Sequence, residues 1–279
     1  MWSDLERPPL RVESLRRGLL SPNGPYAALD VVESTTSTNG DLARSARGGA
    51  ADRTVLVAEH QTAGRGRGAR IWHSPPRAGL SFSVLLRPGG IPSMRWGWLP
   101  LLAGVAVAEA ISEMAEVEVA LKWPNDVLVG PGRRKCAGIL AEVVGAGDTT
   151  AVVVGIGLNV TVTADELPPG VDATSLAIEN AACTDRDPLL RAALRELSAV
   201  ERGWREHNGD PDASGLRQAY RRCCATVGER VRVELPSGAQ LVADAVDVDR
   251  DGRLVLLDDD GERHAVSAGD IVHVRPAAP

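Results

Sequence analysis

A segment rich in arginine and glycine, residues 59–72, reads Glu-His-Gln-Thr-Ala-Gly-Arg-Gly-Arg-Gly-Ala-Arg-Ile-Trp. It follows a predicted strand, so we expect a loop at a strand end, where binding sites are commonly built. Its glycines would let backbone N–H groups approach an anion, while Arg65, Arg67 and Arg70 supply donors suited to phosphate or carboxylate. Trp72 adds an apolar wall. The alternatives are a solvated loop or an arginine-glycine segment that touches RNA.

Lysine is rare in this chain: among 31 basic residues only Lys122 and Lys135 are lysines. An ammonium is a compact point charge, whereas a guanidinium is a broad rigid fork. Lys122 opens the run Lys-Trp-Pro-Asn-Asp, in which Asn125 and Asp126 have the chemistry to hold a metal ion or a ribose. A simple turn is the alternative there. Lys135 begins an apolar strand, and its alternative is a solvent-exposed position at a strand end.

Two further motifs could bind a ligand. Gly155 and Gly157 alternate with larger residues before Asn159, so they would clear one face of a strand, although a bulge would explain them equally well. Ser37, Thr38 and Asn39 precede a helix, where hydroxyl groups could bind a urea-like or carboxylate group. A helix N-cap at Ser37 or Asn39 is the alternative. No pattern typical of a nucleophilic Ser-His-Asp site appears.

Composition restricts the class of protein. The chain has 279 residues, 44% of them hydrophobic and 24% charged, which is typical of a globular protein. A net charge of −6 argues against a protein that coats nucleic acid, and no apolar run reaches the roughly 20 residues of a membrane span. The four cysteines lack metal-ligand spacing, so a reducing cytoplasm is the simplest interpretation.

The pattern of apolar residues predicts an α+β protein in three parts: a short extension over 1–28, a main body over 29–224 and a small β-barrel over 225–279. In the body we expect strands at 29–32, 54–58, 80–86, 117–122, 136–144 and 151–160. Helices are predicted at 10–20, 39–47, 98–115, 187–206 with Asp187 as its cap, and 216–222. In the last part, Asp-Gly pairs separate short strands predicted at 231–233, 239–242, 254–257, 264–266 and 272–274.

Taken together and in this order, the motifs resemble those of the biotin protein ligases. The segments that carry the resemblance are 37–39, 61–67, 122–126, 135–140, 155–159 and, near the end, 267–271. The resemblance implies a mixed sheet flanked by helices, like that of class II aminoacyl-tRNA synthetases, followed by a Src-homology-3-like C-terminal barrel. The sequence departs from the commoner family pattern at Ala69, where a glycine would precede the next arginine.

The resemblance also implies a role for each matching residue. Lys135, Arg67 and Arg70 would be catalytic, with Lys135 also holding the reacting carboxylate. The biotin-binding residues would be Ser37, Thr38, Gln61, Arg65, Trp72, Lys135 and Gly138. The ATP-binding residues would be Arg67, Lys122, Asn125, Asp126 and Asn159, with Asp126 also the candidate metal ligand.

The activity implied is ligation in two steps. Biotin and ATP, with Mg²⁺, would give biotinyl-5′-AMP, and the biotinyl group would pass to a lysine of a biotin carboxyl carrier domain. The expected enzyme is a monomer or weak homodimer that binds neither nucleic acid nor membrane. Some family members carry an N-terminal helix-turn-helix and act as repressors, and residues 1–28 are too few to supply one. A lipoyl ligase and an RNA-binding module are the alternatives to be tested.

Overall fold

A computed structural model describes residues 7–68, 70–234, 238, 240–267 and 270–273. A seven-stranded mixed sheet forms the body, with strand order β1-β2-β3-β7-β6-β5-β4. β1 and β2 are parallel, and every other neighbouring pair is antiparallel. Its strands are β1 (Ala28–Val32), β2 (Thr54–Ala58), β3 (Gly79–Leu86), β4 (Val119–Lys122), β5 (Asp126–Val129), β6 (Arg134–Val144) and β7 (Ala151–Asn159).

Helices cover both faces of this sheet. One face carries α3 (Trp98–Ala115) and α4 (Arg186–Glu206), with α1 (Val12–Leu19) and α5 (Leu216–Cys223) packed beside them. The other face carries α2 (Thr38–Arg47), whose Leu42 and Ala46 pack on a second, smaller apolar cluster. The stretch Ser93–Ala115 is long and apolar enough to cross a membrane by length and composition, but 72% of its apolar 18-residue window is buried inside the protein, as in a core helix.

The C-terminal part is a five-stranded antiparallel sheet with strand order β11-β10-β9-β8-β12. Its strands are β8 (Arg230–Glu234), β9 (Gln240–Val248), β10 (Leu254–Leu257), β11 (Arg263–Val266) and β12 (Asp270–His273). Two tryptophans of the body bind the turn between β9 and β10. Trp98 Nε1 donates to the Arg250 carbonyl at 3.0 Å, and Trp123 Nε1 donates to that of Gly252 at 3.1 Å. The two sheets therefore share one apolar core.

Most predicted elements are confirmed within a few residues, including the buried helix at 98–115. The short strand β5 was missed because its first residue, Asp126, belongs to the predicted turn after Pro124. β9 extends to Val248, beyond the predicted end at 242, since its aspartates lie on the partly exposed face and Asp244 pairs with Arg230. Residues 239, 268, 269 and 274, which belong to the predicted C-terminal motifs, lie outside the described residues, as does Ala69.

The predicted cap of α4 was wrong. Asp185, not Asp187, is the N-cap, and its side chain accepts the backbone N–H of Asp187 at 3.0 Å. The carboxylate of Asp187 is instead buried and accepts both the backbone N–H and the Nε of Arg11. Either aspartate satisfies the local sequence rule, so the choice depends on Arg11, which is distant in sequence.

Gly97, just before α3, packs against the turn between β9 and β10, so a substitution here tests the contact between the body and the C-terminal part. A Cβ at this position would lie 2.4 Å from the Asp251 carbonyl oxygen, although φ −55° suits any residue. We expect Gly97→Ala to lower the free energy of unfolding by about 1–3 kcal/mol through overpacking, measured by urea denaturation. Gly203→Ala is the matched control: open space surrounds this helical glycine, so alanine should stabilise by roughly 0.5–1 kcal/mol. Equal stability of Gly97→Ala and the wild type would contradict the contact.

Candidate active site

A cavity of roughly 340 Å³ lies against β6 and β7, beside the N-terminus of α2 and under the segment 64–72. Eleven of the predicted site residues line it: Ser37, Thr38, Gln61, Arg65, Arg67, Arg70, Trp72, Asn125, Lys135, Gly138 and Asn159. Lys122 and Asp126 are absent from its lining. The structure thus brings together residues that are up to 122 positions apart in the sequence.

Glycines form the floor of this cavity. Gly138 and Gly157 are direct partners across the β6–β7 pair, and the Trp72 indole rests on both of them. A Cβ on Gly157 would lie 2.3 Å from Trp72 Cε2, and one on Gly138 would lie 3.3 Å from Trp72 Cζ3. At Gly155 a Cβ would lie 2.0 Å from Asn39 Oδ1. The absence of a side chain at Gly138 and Gly157 therefore makes room for Trp72, and its absence at Gly155 makes room for Asn39.

A compact set of polar groups closes the end of the cavity next to α2. Ser37 is the N-cap of that helix, so its cap role is confirmed. Gln61 Oε1 accepts the backbone N–H of Thr38 at 2.8 Å. Ser83 Oγ lies 2.7 Å from Thr38 Oγ1 and 2.6 Å from Asn39 Oδ1. Ser83 is fully buried, and its hydrogen bonds to the polar end of the cavity were not predicted, although Ser81 and Ser83 stand out in a strand that is otherwise glycine and apolar residues.

Residues 64–68 and 70–72 fold back on each other. Gly66 N–H donates to the Arg70 carbonyl at 2.8 Å and Trp72 N–H donates to that of Gly64 at 2.9 Å. Arg65 reaches across to β6, where its guanidinium lies 3.2 Å from Glu142 Oε2. Glu142 was also missed: it follows the predicted motif 135–140 and nothing local marks it.

Lys135 and Asp126 form the charged part of the site. Lys135 Nζ lies 2.5 Å from Asp126 Oδ1 and 6.0 Å from the centre of the Trp72 ring. Asp126 Oδ1 is thus paired with the ammonium, whereas Asn159 Oδ1 is buried and accepts no hydrogen bond from the described residues. Asn125 is fixed on β6 by bonds in both directions with the main chain of Ile139, each 2.9 Å long.

The two lysines do not share the cavity. Lys122 is the partner of Asp126 across the β4–β5 pair, and both line a small crevice behind the site together with Tyr220. Residues paired in this way place their side chains on one face of the sheet. Lys122, which the sequence resemblance places among the ATP-binding residues, therefore lies behind the cavity, and both lysines are neighbours of Asp126.

Cys136 is buried next to Lys135 and donates from Sγ to the Asn159 carbonyl at 3.2 Å. Burial raises the pKa of this thiol far above its ordinary value, so the thiol stays protonated at neutral pH. It is a packing residue, consistent with the absence of a nucleophile pattern in the sequence.

Comparison with known proteins identifies the family. Residues 30–159 match the Biotin/lipoate A/B protein ligase family, and residues 226–274 match the biotin protein ligase C terminal domain. Over 276 residues the chain is 47% identical to the biotin–[acetyl-CoA-carboxylase] ligase of Mycobacterium tuberculosis, covering 98% of both chains. It is 33% identical to the bifunctional ligase/repressor BirA of Bacillus spizizenii, covering 86% of this chain and 71% of that protein.

A solved structure agrees. The biotin protein ligase from Aquifex aeolicus in complex with biotin and ATP is 28% identical, with a TM-score of 0.71, and the match covers 90% of this chain and 100% of that one. The chain therefore belongs to the biotin protein ligase family and is a biotin ligase enzyme.

Proposed function

We propose that this enzyme couples biotin to ATP and then to a carrier lysine. In the first step a carboxylate oxygen of biotin attacks the α-phosphorus of ATP, forming biotinyl-5′-AMP and releasing pyrophosphate. In the second step a lysine amine of a biotin carboxyl carrier domain attacks the carbonyl carbon, an amide forms, AMP leaves and the amine loses a proton. Both steps need positioning and charge stabilisation rather than a protein nucleophile.

The observation that carries this proposal is the order of chemistry along the cavity. Polar groups at the Asn39 and Gly155 end suit the ureido head of biotin, with Ser37, Thr38 and Gln61 as the proposed partners. Trp72 and the glycine floor then supply an apolar stretch for the rings and the tail. Lys135 stands 6.0 Å from that indole, where the carboxylate of biotin would arrive. Arg65 and Gly138 complete the proposed biotin site.

The same geometry supports the proposed nucleotide site. Arg67 and Arg70 line the cavity from the segment 64–72 and would contact the phosphates. Asn125 and Asn159 line it from the body and would contact the nucleotide. Lys122 is proposed to act from the rear, through its position beside Asp126.

Asp126 and Asn159 suit a magnesium ion that accompanies ATP. Asn159 has a buried amide oxygen that accepts no hydrogen bond from the described residues, and Asp126 supplies a carboxylate; oxygens of both kinds are ligands of Mg²⁺. When bound, the ion would neutralise charge on the phosphate oxygens. Until then Lys135 balances the Asp126 carboxylate.

The remaining parts of the proposal concern partners and location. The acceptor would be the carrier domain of a biotin-dependent carboxylase, as the name of the Mycobacterium relative suggests. Residues 7–20 are tied to the body, for instance by the 2.6 Å ion pair of Arg7 with Glu166, which supports an enzyme without a repressor role for this segment. Four free thiols support a reducing cytoplasm. We further propose that the chain divides into an extension over 1–28, a catalytic domain over 29–224 and a C-terminal domain over 225–279. The catalytic domain would be related to class II aminoacyl-tRNA synthetases and the C-terminal domain would be a Src-homology-3-like barrel. The proposed oligomeric state is a monomer or weak homodimer.

Transfer to a carrier domain tests the whole reaction. After incubation with biotin, Mg-ATP and this protein, we expect the intact mass of the carrier domain to increase by one biotinyl group on a lysine. Lipoate in place of biotin should leave the mass unchanged, and so should omission of ATP. Labelling by lipoate alone would support the lipoyl ligase, while no labelling together with salt-sensitive binding of RNA would support an RNA-binding module.

Lys135→Arg tests the need for a point charge. The substitution keeps the positive charge but replaces a compact ammonium with a broad fork. We expect biotin-dependent release of pyrophosphate to slow by roughly 10²-fold or more, the usual effect of removing one such donor. Urea denaturation confirms that the variant is folded. A wild-type rate of release would contradict the role of Lys135.

Gly157→Ala tests the floor of the cavity. The added methyl group would displace the Trp72 indole, because the new Cβ would lie only 2.3 Å from Trp72 Cε2. We expect the Kd for biotin to rise by roughly 5- to 150-fold, the range that corresponds to overpacking of about 1–3 kcal/mol. Gly89→Ala, at a glycine with open space around it, should bind biotin like the wild type. Unchanged biotin affinity of Gly157→Ala would show that biotin binding does not depend on the packing of the Trp72 indole against Gly157.

A further inference from the structure

One carboxylate joins the polar end of the cavity to the arginine segment. Glu142 Oε2 accepts from Asn39 Nδ2 at 2.7 Å and lies 3.2 Å from Arg65 NH2. Asn39 belongs to α2 and is 4% exposed, whereas Arg65 belongs to the segment 64–72 and its side chain is half exposed. Glu142 itself lies on β6, between these two elements. Among the described residues, the side chain of Glu142 is the one that hydrogen-bonds to both Asn39 and Arg65.

The hydrogen bonds that lead to Glu142 have a definite direction. Asn39 Oδ1 is only an acceptor, so the single proton of the Ser83 hydroxyl, 2.6 Å away, is donated to it. The Thr38 hydroxyl has one proton and two neighbouring oxygens, Ser83 Oγ at 2.7 Å and Gln61 Oε1 at 3.1 Å. Because Ser83 has no proton left for Thr38, we assign the Thr38 proton to the shorter contact, with Ser83 Oγ as its acceptor. Asn39 in turn donates to Glu142. The series therefore runs from Thr38 through Ser83 and Asn39 to Glu142, where Arg65 donates from the other side.

This direction leaves the lone pairs of Thr38 Oγ1 as acceptors at the cavity. A ligand N–H, such as one in a ureido group, is the partner that fits them. Hydrogen bonds in series polarise one another, so a donor at Thr38 strengthens the bonds that follow. Removal of one hydrogen bond in the series should therefore weaken the hydrogen bonds at Thr38 and at Arg65.

We propose that Glu142 is a positioning residue that couples occupancy of the polar end of the cavity to closure of the segment 64–72. This inference rests on the proposed biotin site and adds to it a residue that touches neither substrate. A ligand at Thr38 holds Asn39 and Glu142 in place, and Glu142 then holds Arg65. Closure of the segment places Arg67 and Arg70 over the nucleotide and excludes water from the adenylate.

The test compares proteolysis of the segment with and without biotin, in the absence of ATP. The measured quantity is the rate of tryptic cleavage within 64–72 without biotin, divided by the rate with saturating biotin. We expect a high ratio for the wild type and a ratio near one for Glu142→Gln. Because the amide oxygen of glutamine still accepts from Asn39, the Kd for biotin should rise only about three- to fivefold, the size expected for loss of a partly exposed ion pair.

Two further variants separate coupling from simple stability. Ser83→Ala interrupts the series but leaves the pair of Arg65 with Glu142, so its ratio should also fall towards one even if Glu142→Gln fails to fold. Glu33→Gln is the matched control: it removes a carboxylate that pairs with Arg77 at 3.0 Å, outside the cavity, and it should keep the wild-type ratio.

The outcomes distinguish the two levels of the proposal. If the wild type binds biotin by calorimetry but Glu142→Gln and Ser83→Ala keep the wild-type ratio, the coupling is wrong and the proposed function stands. A wild-type ratio of one despite biotin binding overturns the coupling as well. If the wild type does not bind biotin, the proposed function and this inference fall together.

Discussion

The site depends on a steric constraint at the centre of the large sheet. Gly138 and Gly157 face each other across β6 and β7, and the space that two side chains would fill is occupied by the Trp72 indole. That ring ends the segment 64–72, so the glycine pair fixes where the segment returns to the body. It also sets the distance from the indole to Lys135. The absence of two Cβ atoms thus lets the Trp72 indole pack directly on the sheet and form one wall of the cavity.

Electrostatics supports the same arrangement. Lys135 lies against Asp126, and Arg65 lies against Glu142, so two cations of the cavity are held by carboxylates of neighbouring strands. Neither pair is deeply buried, and exposed ion pairs contribute little to folding stability. Under the proposed function their value is in orientation: a substrate carboxylate or phosphate would meet cations already in position, which lowers the cost of rearrangement on binding.

Sequence patterns predicted which residues line the cavity better than they predicted the hydrogen bonds and ion pairs that hold these residues in place. Glycines, arginines and the two lysines are chemically distinctive, and most of them do line one cavity. Ser83 and Glu142 were missed because each gains its role from a partner far along the chain, Asn39 at 44 and 103 positions respectively. The cap of α4 was misplaced for the same reason, since Arg11 occupies Asp187. Lys122 lies behind the cavity, and a strand pairing that local patterns do not reveal puts it there.

The scarcity of lysine acquires a meaning beyond charge. Mixed anhydrides acylate amines indiscriminately, and a guanidinium, protonated at any physiological pH, is a poor nucleophile. Within these 279 residues just two side chains carry a primary amine, one held by a carboxylate and the other partly buried behind the site. In the proposed reaction such an enzyme would offer its own activated product few targets for self-modification, so that the intermediate would be preserved for the acceptor.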